Sequence, residues 1–194
     1  MKPSICFATN NPHKLREIQE ILADKFQIVS LKEIGCEEDI PETQPTIEGN
    51  SEQKAQYVKD HYQIDCFADD TGLEVATLNN EPGVYSARYA GPQRNSEDNV
   101  ALLLKNLEGK TDRSAQFKTV ITLIYKGETT AFEGIVKGVI TEKTTGTNGF
   151  GYDPVFKPEG YDRTFAELSS EEKNKISHRG LAVAKLVAYL ENII

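Results

Sequence analysis

The stretch Phe67-Ala68-Asp69-Asp70-Thr71-Gly72-Leu73-Glu74-Val75, read as F-A-D-D-T-G-L-E-V, decides the fold. An apolar run, Cys66-Phe67-Ala68, meets two adjacent acids, and Thr71-Gly72 is expected to reverse the chain into a second apolar run, Leu73 to Leu78. Side chains alternate between the two faces of a strand, so Asp69 and Asp70 should diverge, one toward a cleft and the other toward the turn. An Asp before Thr-Gly is also ordinary turn chemistry, and these residues alone leave both readings open. The rest of the chain has to decide between them.

Composition narrows the choices. With 194 residues, 38% hydrophobic and 27% charged, the chain can bury a core as one domain or two closely joined lobes. Its longest apolar run is too short to span a bilayer, and Met1-Lys2-Pro3 leads into a strand rather than a signal peptide, so a cytoplasmic protein without a membrane partner is expected. Cys6, Cys36 and Cys66 are widely spaced and odd in number, which indicates buried thiols rather than a disulfide framework or a zinc site. A formal charge of -8 argues against nucleic acid as a partner, because phosphate-backbone binding needs a basic footprint. A small anion carried by a metal stays open.

Upstream of the acid pair, Ser4 to Ala8 reads as a strand, followed by Thr9-Asn10-Asn11-Pro12-His13-Lys14 and then by Leu15, Ile18, Ile21 and Leu22 at helical spacing. Arg16, Glu17, Gln19 and Glu20 fill the other face of that helix. Asn11 suits the N-cap and Pro12 the first helical position, which aims free N–H groups and the positive helix end at the loop. Lys14 in the first turn is unfavourable on dipole grounds unless an anion binds there; the alternative is a capped helix with an exposed lysine. Phe26 to Leu31 reads as a second strand. Lys32 to Asn50 is a long acidic connection, and Asn50 with Gln53 resembles the start of a short helix carrying Ala55, Val58 and Tyr62.

Downstream, Leu73 to Leu78 and Gly83 to Tyr89 read as two extended segments around Asn79-Asn80, with Pro82 demoting the second to an edge or loop. Ser96 is the expected cap of a helix running to about Leu107. Phe117 to Tyr125 and Thr129 to Lys137 form a long hairpin continued by Val139 to Thr141, so the sheet is mixed. In T-T-G-T-N-G-F-G-Y-D-P-V-F, Thr144 to Phe156, glycines permit close backbone approach to a ligand, Phe150 and Tyr152 offer faces for a planar base, and Asp153 offers an acceptor. The same loop is also compatible with aromatics that cap the core. Ser177 is read as the cap of a last helix bearing Val183, Leu186, Val187, Leu190 and Ile194 on its apolar stripe, with His178 and Arg179 in its first turn.

Five segments then carry a resemblance: A-T-N-N-P-H-K at Ala8 to Lys14, A-D-D-T-G-L at Ala68 to Leu73, P-G-V-Y-S-A-R-Y at Pro82 to Tyr89, G-F-G-Y-D-P-V-F at Gly149 to Phe156 and S-H-R at Ser177 to Arg179. In this order and over nearly the whole length, the chain resembles the inosine triphosphate pyrophosphatase family. The resemblance implies an α/β fold, an elongated mixed β-sheet flanked by helices, forming a single two-lobed domain over residues 1–194 with an active-site cleft between the lobes, and a homodimer. It implies hydrolysis of ITP, dITP and XTP to the monophosphate and pyrophosphate with Mg2+. Residue by residue, Thr9, Asn10, Asn11, Pro12, His13 and Lys14 would hold the triphosphate. Glu42 and Asp70 would hold the metal, and Asp70 would act as general base with Thr71 beside the substrate. Phe150, Gly151, Tyr152, Asp153, Lys173, His178 and Arg179 would bind the nucleotide, mainly its base, while Lys54 and Arg88 fall where phosphate contacts are expected.

Two departures stand out. Thr71 replaces a serine frequent in the family, and Gly49 separates Glu48 from Asn50 where an acid adjoining the Asn is expected, so Glu42 is chosen over Glu38 and Glu48 as the second metal ligand. The related Maf-like pyrophosphatases and a nucleotide-sensing module without turnover are the alternatives. The S-H-R and G-F-G-Y-D segments argue against the first, and carboxylates beside a triphosphate argue against the second.

Overall fold

A computed structural model describes residues 2–22 and 24–193; Met1 and Ile194, both used above, lie outside the described residues. Strand β1 (Ser4–Phe7), helix α1 (Pro12–Leu22) and strand β2 (Gln27–Ser30) open the chain, and α2 (Ile47–Tyr62) leads into β3 (Cys66–Val75). After the short β4 (Glu81–Gly83) come α3 (Ser96–Asn106), the long β5 (Ser114–Tyr125) and β6 (Glu128–Ile140), then β7 (Phe156–Pro158), α4 (Ser170–Ile176) and α5 (His178–Ile193). The sheet is mixed, in the order β2-β1-β3-β5-β6-β7 with β4 on β3. β1 runs parallel to β2 and β3, whereas β3/β4 and β6/β7 are antiparallel. The two residues between β5 and β6, Lys126 and Gly127, both have positive φ, as a tight hairpin turn between twisted strands demands. No helix among the described residues is long and apolar enough to cross a membrane.

The chain divides into two compact units. The first comprises Met1–Asp70, Thr119–Gly134 and Arg179–Ile194, and the second Thr71–Lys118 and Ile135–His178. In the first unit, alternation along β1 and β3 sorts the core. Ile5, Phe7 and Phe67 pack with Ile18 and Leu22 of α1 and with Val183 and Leu186 of α5. Cys6, Ala8, Cys66 and Ala68 pack on the opposite face with Ala55 and Val58 of α2. Phe7 and Phe67, neighbours in the ladder, stack at 4.7 Å. In the second unit Leu73 and Val75 of β3 pack with Val100 and Leu103 of α3, Phe117 of β5, Phe156 of β7 and Phe165.

The structure corrects several sequence expectations. Thr71-Gly72 does not turn: β3 continues through it to Val75, because Leu73 and Val75 are buried in the core, and the Leu73 N–H donates to Ser86 Oγ at 2.9 Å. The strand expected at Gly83 to Tyr89 lies earlier, at Glu81–Gly83, and the segment after it carries a 3₁₀ turn at Ser86–Arg88. Helix α2 begins at Ile47, capped by Thr46, whose Oγ1 accepts from Gly49 N at 3.0 Å. Asn50 and Gln53 are therefore interior helical residues with a different task. Asn95 rather than Ser96 caps α3, and α4, with a Ser169/Glu172 capping box, is a helix that charge-rich spacing concealed. Ser177 closes α4 in an extended conformation immediately before α5. The three cysteines are free and buried, as expected.

Candidate active site

Strand parity places the chemistry. Asp69 shares the face of Phe67, so it points toward α1 and α5; Asp70 shares the face of Ala68, so it points toward α2. Asp69 is fully buried and accepts from Lys14 Nζ of α1 and Arg179 Nε of α5, each at 3.2 Å. Arg179, only 2% exposed, also donates through Nη1 to Glu17, one helical turn after Lys14. Burial opposes ionisation of Asp69, but Lys14, Arg179 and Lys54 together hold its carboxyl well below the usual aspartate range. Burial pulls the Lys14 ammonium down, with Asp69 pulling the other way. Burial likewise opposes the charge on Arg179, and Asp69 and Glu17 outweigh it.

Asp70 is in the opposite situation. Its Oδ1 lies 3.9 Å from Lys54 Nζ, and its buried Oδ2 has no hydrogen-bond partner among the described residues. Burial raises the carboxyl above the usual range despite the attraction of Lys54 and Lys14. Lys54 of α2 also bonds Glu42 Oε1 at 2.6 Å; burial works against its charge, and Asp70 and Glu42 more than compensate.

The Glu42 segment is tied down by the first two turns of α2. Gln53 accepts from Thr43 N and donates to Thr43 Oγ1, both at 2.9 Å, and Asn50 Oδ1 accepts from Gln44 N at 2.9 Å. A Cβ on Gly49 would meet Gln44 Cβ at 2.8 Å, so the glycine that breaks the expected acidic pattern is what lets the loop close on the helix. Ser51, between Ala68 O at 3.0 Å and Thr122 Oγ1 at 2.9 Å, joins α2 to β3 beside the aspartates.

The loop before α1 follows the sequence reading in part. Asn11 caps the helix, its Oδ1 accepting from His13 N at 2.9 Å and Lys14 N at 3.2 Å, and Asn11 N donates to Thr9 Oγ1 at 3.1 Å. Asn11 thus occupies two of the N–H groups expected to be open, and the anion beside Lys14 is the protein's own Asp69. Asn10, Pro12 and His13 are exposed.

In the second unit, Lys173 of α4 bonds Asp153 Oδ2 at 2.7 Å, and both are buried. The same oxygen accepts from Phe150 N at 2.8 Å, and Lys173 Nζ sits 4.8 Å from the centre of the Phe150 ring. A Cβ on Gly149, where φ is +73°, would lie 2.0 Å from Asp153 Oδ2, so this glycine makes room for the carboxylate rather than for a ligand. Gly151 also has positive φ and nothing within 4 Å of a Cβ position. Tyr152 is not a stacking platform: it is buried in the core and its hydroxyl donates to Ser86 O at 2.7 Å. The His178 ring stacks on Phe117 at 4.4 Å, with the planes 13° apart. Thr71 is half-buried on β3, directly after Asp70. Arg88 lies over the Tyr85 ring at 5.1 Å.

The predicted residues therefore fall into two sets, one in each unit: Thr9 to Lys14, Glu42, Lys54, Asp70 and Arg179 in the first, and Thr71, Phe150 to Asp153, Lys173 and His178 in the second. Sequence reasoning missed Glu17, Asn50, Gln53 and Phe117. The three-residue step from Lys14 to Glu17 was a usable signal for a shared helix face. The clamp by Asn50 and Gln53 was masked by its likeness to a capping box.

No group of three or more His, Cys, Asp or Glu able to hold a metal ion exists among the described residues. The Glu42 and Asp70 carboxylates nevertheless fit Mg2+, which is commonly held by one or two carboxylates with water and substrate phosphates completing its shell. The orphaned Asp70 Oδ2 and the lysine ammonium drawn to both carboxylates are the features a cation would relieve.

The sequence profile of the Ham1 family matches residues 5–189. The dITP/XTP pyrophosphatase of Flavobacterium johnsoniae is 61% identical over 186 residues, covering 96% of this chain and 97% of that protein. Among solved structures, the Ham1 protein of Staphylococcus aureus is similar at a TM-score of 0.89 and 41% identity, over 98% of this chain and 100% of that one. A HAM1 protein from Coxiella burnetii gives 0.90 and 38% identity, over 98% and 99%.

Proposed function

The chain belongs to the Ham1 family, and from that premise we propose that it hydrolyses non-standard purine nucleoside triphosphates, ITP, dITP and XTP, to the nucleoside monophosphate and pyrophosphate. The observation that carries the chemistry is the contrast within the acid pair: Asp69 is saturated by Lys14 and Arg179, while Asp70 keeps a buried oxygen without a hydrogen-bond partner among the described residues. A carboxylate whose proton affinity burial has raised is suited to accept a proton from water attacking the bond between the α and β phosphates. The water oxygen bonds to the α phosphorus, the bridging oxygen leaves with the pyrophosphate, and the proton passes to Asp70.

Mg2+ held by Glu42 and Asp70 would neutralise charge on the phosphoryl oxygens and the departing pyrophosphate. Lys14, oriented by Asp69, supplies a fixed cation for the triphosphate, and Thr9 to His13 supply the loop around it. At the base end, Phe150, Lys173 and His178 are the proposed contacts. Donors facing the 6-oxo group of hypoxanthine or xanthine would meet the 6-amino group of adenine donor against donor. An unpaired buried donor costs about 1–3 kcal/mol, which discriminates by one or two orders of magnitude. Arg179 enters this scheme through its bonds to Asp69 and Glu17 in the phosphate-binding unit. The proposed setting is a homodimer in the cytoplasm acting on the nucleotide pool.

Incubation with ITP, XTP, ATP and GTP plus Mg2+, with chromatographic separation of products, tests the proposal. Inosine monophosphate and pyrophosphate in equal amounts, with ATP left intact, is the expected result. Release of orthophosphate instead of pyrophosphate, or equal rates on ATP, would refute it.

A further inference from the structure

Lys54 has contacts that phosphate binding does not explain. Its ammonium, on a side chain 8% exposed, lies 2.6 Å from Glu42 Oε1 and 3.9 Å from Asp70 Oδ1. These are the two carboxylates proposed above to hold the divalent cation, so a monovalent cation belonging to the protein itself already serves both. A lysine waiting only for phosphate would gain nothing from this position, and burial makes its charge costly unless acids surround it.

We propose that Lys54 is a tethered placeholder: it keeps Glu42 and Asp70 together while the divalent cation is absent, is displaced from Glu42 when that cation binds, and then turns its ammonium to the triphosphate. The inference rests on the metal-site reading given above. The local architecture suits such an exchange. Asn50 and Gln53, on the same helix, fix the main chain of the Glu42 segment at Thr43 and Gln44, so the carboxylate has no need to move with the lysine. The four-carbon stem of Lys54 carries its ammonium over several ångströms by side-chain rotation alone. Substrate and metal are thereby coupled, because the cation that fills the acid site also frees a phosphate ligand.

The test compares the wild-type protein with Lys54→Met, which keeps the length of the side chain and removes its charge. Titration with Mn2+ alone, followed by electron paramagnetic resonance of the free ion, is expected to show tighter binding in the variant, on the order of 5–150-fold, the usual range for coupling between two ligands. Binding of pyrophosphate to the Mn2+-loaded protein is expected to weaken in the same variant. Thermal unfolding in EDTA is expected to be earlier in Lys54→Met, and Mn2+ should restore more stability there than in the wild type; a merely structural lysine would give the same loss with and without the ion. A crystal structure of the Mn2+-loaded wild type is expected to show Lys54 Nζ beyond hydrogen-bond distance of Glu42. Unchanged or weaker Mn2+ binding in the variant, or a Lys54–Glu42 bond that survives in the loaded protein, would overturn the placeholder and leave the metal site standing. Absence of Mn2+ binding in both proteins would overturn the metal-site reading and the placeholder with it.

Discussion

Replacing each aspartate of the pair by asparagine should move stability in opposite directions. Asp69 neutralises two buried cations, and removing one member of a buried ion pair costs about 3–5 kcal/mol. The asparagine oxygen still accepts one hydrogen bond, so the loss for Asp69→Asn belongs near the lower end, about 3 kcal/mol. Burial raises the Asp70 carboxyl above the usual range, and its Oδ2 has no hydrogen-bond partner among the described residues, so its charged form is held at a cost. Asp70→Asn removes that cost and should stabilise the metal-free protein by about 0.5–2 kcal/mol, while abolishing turnover. The pH dependence separates the two further. A carboxyl lowered in the folded state contributes stability that is complete above its unfolded value and is lost as the pH falls toward the folded one, so the Asp69→Asn penalty should persist from neutral pH down to about pH 5. A raised carboxyl gives the reverse, and the advantage of Asp70→Asn should shrink as the pH falls through the raised value and the wild-type acid protonates. Urea unfolding in EDTA at several pH values, followed by circular dichroism, measures both. Two substitutions that destabilise alike, or an Asp69→Asn loss below about 1 kcal/mol, would refute the assignment of Asp69 as the anchor and Asp70 as the exposed cost.

Gln53→Met removes two hydrogen bonds to Thr43 worth about 0.5–1.5 kcal/mol each, and should weaken Mn2+ binding roughly five- to tenfold by loosening the Glu42 segment; unchanged affinity would exclude a positioning role. Lys173→Met strands the buried Asp153 carboxylate and should cost about 3–5 kcal/mol, whereas Lys173→Met with Asp153→Asn should cost less than the sum of the single changes; strict additivity in urea unfolding would contradict the pairing. Burial pushes the Cys6 and Cys66 thiols up to about 12, so the folded protein should resist a thiol reagent at mildly alkaline pH and all three cysteines should react on unfolding; rapid labelling of the native protein would show that their side of the sheet opens.

Much of this architecture was legible because its physics is local. The α1 N-terminus was readable from Asn11 and Pro12, and the divergence of Asp69 and Asp70 from strand periodicity. The turn at Thr71-Gly72 was misread because the dipeptide has turn chemistry, whereas burial of Leu73 and Val75 outweighs it and is a property of the assembled core. Distant pairings were not legible at all: which acid neutralises Arg179, which loop residues Gln53 holds, and why Tyr152 turns inward depend on elements far apart in sequence. The five motif segments pointed to the correct family while leaving these partners unstated. Gly49 illustrates the difference, since it looked like a defect in the acidic motif and is in fact the contact surface for Gln44.

Parity along β3 explains how a single strand can supply both a saturated carboxylate, Asp69, and the carboxylate proposed to be reactive, Asp70. The two side chains are one residue apart, yet the sheet separates them into different environments: α1 and α5 bring Lys14 and Arg179 to one face, and α2 brings Lys54 to the other. The anchored acid fixes the Lys14 and Arg179 cations, so in the proposed function its stabilising bonds would also prepare the phosphate site. The second acid cannot be satisfied in the same way without losing the capacity to take a proton or a metal. Moving the register of β3 by one residue would exchange the faces and put each carboxylate among the wrong partners. The catalytic role proposed for Asp70 would therefore also constrain the core residues Phe67 and Ala68, whose large and small side chains hold that register against Phe7 on one face and α2 on the other.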